Sequence, residues 1–194
     1  MIKDIRPLKM RLRNEAKQYR SALSEQEKER LDKKIANKLL SLWSFREADT
    51  IFAYMSTGIE IGTDEIIAKA WELGKKVAVP RCIPGTRHMQ FYYITDYSQL
   101  ENGSFGVREP IPDKCIPATD SSNAICVVPA LVFDKNCYRL GYGKGYYDRF
   151  LSGFEGSAVG LCYESCRNDA LPHGKYDKSL DLFITETRIY TPAR

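Results

Sequence analysis

"AICVVP", residues Ala124 to Pro129, is an almost uninterrupted apolar run. A strand of this kind has no polar face to give to water and needs cover on both sides, as the central strands of parallel sheets have. The rest of the chain reads as the cover and the neighbours. "TIFAYM" (Thr50 to Met55) is a second buried strand. Thr63 then caps a helix running through Leu73, with Asp64 and Glu65 in its first turn and Gly74 just past its end. "KKVAVP" (Lys75 to Pro80) and "MQFYYI" (Met89 to Ile94) follow as strands, the latter antiparallel because no helix separates the two. Residues Thr95 to Asn123, with Pro110, Pro112 and Pro117, read as loops around one short piece at "FGVREP". "SAVGLCY" (Ser157 to Tyr163) and "DLFITE" (Asp181 to Glu186) complete the strands. This alternation predicts a three-layer α/β/α fold, with a mostly parallel central sheet and helices on both faces. A chain of 194 residues that is 43% hydrophobic suits one domain spanning residues 1–194.

The N-terminal part reads as two helices. Leu8, Leu12, Ala16, Tyr19 and Leu23 recur at three and four residues and form an apolar face. Pro7 fits the first turn. One position round lies a basic row, Arg6, Lys9, Arg13, Lys17 and Arg20, which by pattern alone is a solvated face. Ser24 with Glu27 forms a capping box for a second helix ending near Leu42.

The charge of +4 suits an anionic ligand such as a nucleotide, whereas a dedicated nucleic-acid binder would be more basic. The six cysteines form no CxxC pair, and the two histidines sit in no metal-ligand pattern, so zinc is not expected. Reduced thiols in a cytoplasmic protein are the expectation. The charged stretch after Met1 has no apolar segment behind it, and no apolar run approaches a membrane span.

"YRLGYGKGYYDRF" (Tyr138 to Phe150) places Gly141, Gly143 and Gly145 on alternate positions before a short helix. The spacing is neither that of a P-loop nor Gly-x-Gly-x-x-Gly. Two readings stand: a tight structural bend, or a backbone that approaches phosphate at a helix N-terminus. Arg139 and Lys144 would add positive charge, and Asp148 is a carboxylate suited to magnesium.

"VPALVFDKNCYRLGYGKGYYDRFL" (Val128 to Leu151) resembles the signature block of the 5-formyltetrahydrofolate cyclo-ligase, or 5,10-methenyltetrahydrofolate synthetase, family. "KMRLR" (Lys9 to Arg13), "YMSTGIEIGTDEII" (Tyr54 to Ile67), "VPR" (Val79 to Arg81), "GVREP" (Gly106 to Pro110) and "DKSLDLFITE" (Asp177 to Glu186) follow in the family's order. The resemblance implies ATP- and Mg2+-dependent cyclisation of 5-formyltetrahydrofolate to 5,10-methenyltetrahydrofolate, with release of ADP and phosphate, through a phosphorylated formyl intermediate. It implies Lys144 and Arg139 as catalytic groups. It implies ATP binding by Lys9, Arg13, Arg139, Gly141, Tyr142, Gly143, Lys144, Gly145, Tyr146 and Tyr147. Folate would meet Met55, Glu60, Tyr142, Gly143, Lys144, Gly145 and Tyr146, and Asp148 and Asp177 would take the metal. The expected protein is a monomer with no nucleic-acid or membrane partner. Arg6, Lys17 and Arg20 stay with the solvated reading.

The family has glycine where this chain has Ala130 and Cys137. A glycine at the second position suggests positive φ, which is costly for cysteine. The expectation is that the loop re-bends and leaves Cys137 at ordinary negative φ. Two other functions remain open: a nucleotide- or RNA-binding module, which would not need Glu60 or Asp148, and a kinase-like transferase for another small molecule.

Overall fold

The computed structural model describes residues 4–192. Met1 to Lys3, where the charged N-terminal stretch begins, lie outside the described residues. Helix α1 (Arg6–Ala22) has Pro7 in its first turn, where no intrahelical N–H is lost, and buries Leu12, Ala16 and Arg20. Leu8, expected on that apolar face, is 39% exposed. Helix α2 (Glu25–Ser41) is capped by Ser24, whose hydroxyl accepts the Glu27 N–H at 3.2 Å. It stops one residue before Leu42, and a short α3 (Trp43–Glu47) follows, unforeseen, with Phe45 fully buried.

Strand β1 (Thr50–Phe52) is shorter than expected, although the Ala53 N–H still donates to the Ala78 carbonyl. Helix α4 (Asp64–Glu72) comes next. The Thr63 hydroxyl does not cap it but donates to the Tyr54 carbonyl at 2.6 Å. Strands β2 (Lys76–Cys82) and β3 (Met89–Ile94) form the antiparallel pair expected from their short connection. A small hairpin, β4 (Leu100–Asn102) with β5 (Arg108–Pro110), and β6 (Ile116–Pro117) occupy the stretch read as loops. The remainder is β7 (Ala124–Pro129), β8 (Val132–Asp134), β9 (Arg139–Leu140), α5 (Tyr146–Leu151), β10 (Ser157–Leu161), β11 (Arg167–Asn168), β12 (Leu182–Ile184) and β13 (Ile189–Tyr190).

The main sheet has the order β13-β12-β10-β7-β1-β2-β3-β6. Strands β12, β10, β7, β1 and β2 are parallel, β13 and β3 run against them, and β6, antiparallel to β3, returns to their direction. The fully apolar β7 sits between β10 and β1, the central place its sequence demanded. The chain steps from β1 to β2 in one direction and from β7 to β10 in the other. Right-handed crossovers therefore put α4 and α5 on opposite faces. On the α5 face, the Phe150 ring packs 4.4 Å from Phe91 and 5.9 Å from Phe52, centroid to centroid. The reversal makes the carboxyl ends of β1 and β7 a topological switch point, where open α/β sheets leave a crevice.

The hairpin of β8 and β9 corrects the expectation for Cys137, whose φ is +60°. The Cys137 N–H closes the turn on the Asp134 carbonyl, and Asp134 Oδ1 accepts the N–H groups of Asn136 and Tyr138. A three-residue hairpin loop of this kind ends in a left-handed residue. The cysteine also cannot swing out: it is fully buried, and its carbonyl accepts the Leu180 N–H at 2.9 Å. The loop has kept the glycine-type bend and carries its strain.

Candidate functional site

Two loops meet beyond the carboxyl ends of β1 and β7. The first continues β1 through Tyr54 and Met55 to Glu60. Only 7% of Glu60 is exposed, and its Oε2 accepts both the Thr57 N–H at 2.8 Å and the Thr57 hydroxyl at 2.9 Å. The carboxylate thus folds back on its own loop, which holds it without a counter-ion among the described residues. Burial, and secondly the Glu60 charge, push the phenols of Tyr54 and Tyr142 up. Tyr147 is also raised, by burial, then Cys126, then Glu60. These hydroxyls keep their protons and remain donors beside a carboxylate.

The second loop carries the glycines. Gly143 lies at φ +92°, and a Cβ there would come within 3.3 Å of Arg13 Nη2. Gly145, at φ +73°, begins α5 from the left-handed region. Both positions therefore demand glycine. Helix α5 has six residues, so the loop's own N–H groups, more than a long helix dipole, offer a cradle for an anion. Lys144 stands exposed between the two glycines, and its side chain has no protein partner among the described residues. The Tyr146 hydroxyl reaches the Thr86 carbonyl at 3.4 Å, and the Tyr147 hydroxyl is buried without a partner among the described residues. An orphaned buried hydroxyl calls for an explanation, and an acceptor on a bound ligand would supply one.

The cations gather round this loop. Arg13 Nε donates to the Gly141 carbonyl at 2.7 Å. Lys9 Nζ pairs with Asp177 Oδ2 at 2.9 Å. Arg139, whose side chain is 5% exposed, pairs with Asp148 Oδ1 at 3.0 Å and donates to the Lys178 carbonyl at 2.9 Å. The Lys178 N–H returns to Asp148 Oδ1 at 3.2 Å, which brings Asp148 beside the Asp177 segment. Burial favours protonation of Asp177, but hydrogen bonds from Lys9 and the Gly174 N–H, with the charges of Lys9 and Arg139, prevail and hold its pKa below the usual value. Asp148 Oδ2 and Asp177 Oδ1 have no protein partner among the described residues. Two neighbouring carboxylates, each with one oxygen to offer, suit magnesium, which binds through one or two carboxylates together with phosphate and water oxygens. Among the described residues no group of three or more His, Cys, Asp or Glu could enclose a metal, so phosphate oxygens would have to complete its shell.

All the expected nucleotide-side residues therefore come together: Lys9, Arg13, Arg139, the stretch Gly141–Tyr147, Asp148 and Asp177. Glu60 lies near enough for its charge to help raise the Tyr142 and Tyr147 phenols. Met55 fits less well, since at 4% exposure it belongs to the core. Arg20, read as solvated, is 4% exposed and donates to the carbonyls of Ala130 and Leu131. Lys17, given the same reading, lies 5.3 Å above the Tyr142 ring. Thr57 and Lys178, which brace the two carboxylates, were not singled out. Neither carries a local pattern; both act through the fold.

The family profile described as the 5-formyltetrahydrofolate cyclo-ligase family matches residues 6–186. A probable 5-formyltetrahydrofolate cyclo-ligase from Caenorhabditis elegans is 31% identical over 94% of both chains. The 5-formyltetrahydrofolate cyclo-ligase of Haemophilus influenzae is 29% identical over 89% of this chain and 94% of its own. Among solved structures, the 5,10-methenyltetrahydrofolate synthetase of Aquifex aeolicus superposes with a TM-score of 0.81 at 29% identity, covering 95% of this chain and 92% of that one. A 5,10-methenyltetrahydrofolate synthetase from Mycoplasma pneumoniae gives 0.70 at 28% identity, over 92% and 98%. A sheet with this switch point, a glycine loop ringed by paired cations and a profile match over nearly the whole length agree: the chain belongs to the 5-formyltetrahydrofolate cyclo-ligase family.

Proposed function

We propose that the crevice carries out the family's reaction, with ATP on the glycine-loop side and 5-formyltetrahydrofolate on the Glu60 side. The activity is the ATP-dependent conversion of 5-formyltetrahydrofolate to 5,10-methenyltetrahydrofolate. The observation that carries the two-sided arrangement is the gathering of Arg13, Arg139 and Lys144 at one loop, with Lys9 beside them on Asp177, while the buried Glu60 is held by the neighbouring loop.

In this reading the formyl oxygen attacks the γ-phosphorus. An O–P bond forms, the bond from γ-phosphorus to the bridging oxygen breaks, and ADP departs. N10 then adds to the formyl carbon and loses its proton. The phosphorylated oxygen leaves as inorganic phosphate, and the ring is closed. Phosphoryl transfer asks mainly for positioning and charge neutralisation. Lys144, exposed and with its side chain unpaired among the described residues, neutralises charge on the transferring group, while Arg139 is held by Asp148 and Lys178 and supplies a fixed charge. Lys9 and Arg13 hold the phosphate tail, and the N–H groups of Gly141 to Gly145 bind its oxygens. Asp148 and Asp177 would hold Mg2+, which when bound neutralises charge on the phosphates. Glu60 accepts N–H groups of the folate, and Tyr142, Tyr146 and Tyr147 flank the ligand rings. Met55 would serve only through the packing under that loop.

The same reading takes residues 1–194 as one domain and the protein as a cytoplasmic monomer; light scattering on an eluted peak checks the latter. The direct test mixes protein, Mg-ATP and 5-formyltetrahydrofolate and follows the near-ultraviolet absorbance of the methenyl product. No absorbance change, or one independent of ATP, overturns the proposal.

A further inference from the structure

Arg20 is a buried guanidinium with no carboxylate partner among the described residues. Burying an unpaired charge is costly, and an apolar side chain would fill the same space more cheaply. What the guanidinium holds is specific. Nη2 donates to the carbonyls of Ala130 and Leu131, the latter at 3.1 Å, and approaches Cys162 Sγ at 3.5 Å. Nη1 donates to the Ile59 carbonyl at 3.4 Å. The group also lies 5.2 Å over the Tyr163 ring, which fixes its plane. Ala130 and Leu131 follow β7, and Ile59 immediately precedes Glu60. One side chain thus ties the loop that carries Glu60 to the carboxyl end of the neighbouring strand.

The tie has a counterpart on the same helix. Lys9, Arg13 and Arg20 are spaced four and then seven residues apart, so they share one face of α1. Lys9 reaches Asp177, Arg13 reaches the glycine loop, and Arg20 alone reaches the β1 side. Helix α1 is a common support on which each side of the crevice has its own tether.

We infer that Arg20 is a positioning residue for the folate side: it sets the place of Glu60 through the Ile59 carbonyl and leaves the ATP side untouched. This rests on the reading of Glu60 given above. The test uses the full chain with Arg20→Met, Arg20→Lys and Glu60→Gln, singly and combined. In Arg20→Met the KM for 5-formyltetrahydrofolate should rise about tenfold, the order expected when a binding group is displaced by a fraction of an ångström. The Kd for Mg-ATP, by calorimetry, should stay within about twofold, and Arg20→Lys should recover part of the loss. In the Glu60→Gln background Arg20→Met should add less than about threefold, because residues acting through one another are not additive. An unchanged folate KM, a parallel loss for ATP, or full additivity with Glu60→Gln overturns the inference. If Arg20→Met does not fold, Arg20→Lys carries the same comparison with a smaller rise. If Glu60→Gln itself leaves folate use normal, the reading of the site falls and Arg20 falls with it. If Glu60→Gln acts and Arg20 replacement does not, only the role of Arg20 falls.

Discussion

On the glycine-loop side, Arg139 is fixed by Asp148 and Lys178, but the other cations can give up what holds them. Lys9 rests on Asp177, a carboxylate partly open to water, and the Lys144 side chain has no protein partner among the described residues. On the β1 side the charge is single, buried and held by its own loop, with Thr57 donating twice to Glu60 and Arg20 bracing the backbone beside it. Ion pairs near the surface contribute little and exchange partners readily. A buried carboxylate with satisfied hydrogen bonds is preorganised, and moving it is expensive. The difference teaches how one crevice serves two ligands. A triphosphate arrives with charge enough to take over loosely paired cations, whereas an uncharged ring system needs an acceptor already in place.

The largest effect should come from the group with no partner. Lys144→Ala should lose ~2–4 kcal/mol of transition-state stabilisation, the range for removing one electrostatic donor. The denaturation midpoint should barely move. Turnover at saturating ATP reads it, and unchanged turnover would place the catalytic charge elsewhere. Glu60→Gln comes next. It keeps the shape and removes the charge, and should weaken 5-formyltetrahydrofolate binding by ~1–3 kcal/mol with ATP binding near normal. Equal losses for both ligands in calorimetric titration would erase the distinction between the two sides.

Smaller is the expected contribution of Asp177. Its folded pKa lies below the ordinary 3.8, so the unfolded chain binds this proton first as pH falls. Its stabilisation is complete above the ordinary value and is lost as pH drops through the folded one. Asp177→Asn should therefore flatten the fall in stability between about pH 5 and pH 3, by less than about 1 kcal/mol because Asp177 is partly open to water. Urea midpoints at the two pH values measure it; an identical slope would mean Lys9 gains nothing from this pair.

The smallest concerns Cys137. Comparing Cys137→Gly with Cys137→Ala removes the thiol in both and changes only the tolerance of φ +60°. Left-handed backbone costs alanine ~1–2 kcal/mol, and glycine gives back ~0.5–1 kcal/mol in unfolded-chain entropy. The glycine variant should be the more stable by roughly 0.5 kcal/mol. A chemical-denaturation midpoint higher for alanine would show the turn to be unstrained.

Periodicity made the layers legible. The unbroken apolar run of β7, the capped α2 and the short link between β2 and β3 each have one local solution, and the structure adopts it. The β8–β9 hairpin was not legible, because two-residue and three-residue strands bury too few side chains to show a period. Arg20 was missed for a related reason: a basic row on a helix looks the same whether water or a cluster of carbonyls faces it.

What the sequence determined by itself is therefore the longer helices, the core strands of the main sheet and the identity of the glycine loop, since these rest on residue types acting within a few positions of one another. Gly143 and Gly145 answer to local φ, and the apolar strands answer to burial on two sides. Which of the cations on α1 faces the phosphates and which holds a loop was decided only when β7, the Glu60 loop and the Asp177 segment packed against that helix. A side chain's charge is written in the sequence, but its partner is a contact between distant positions, and distance in space is set by tertiary packing.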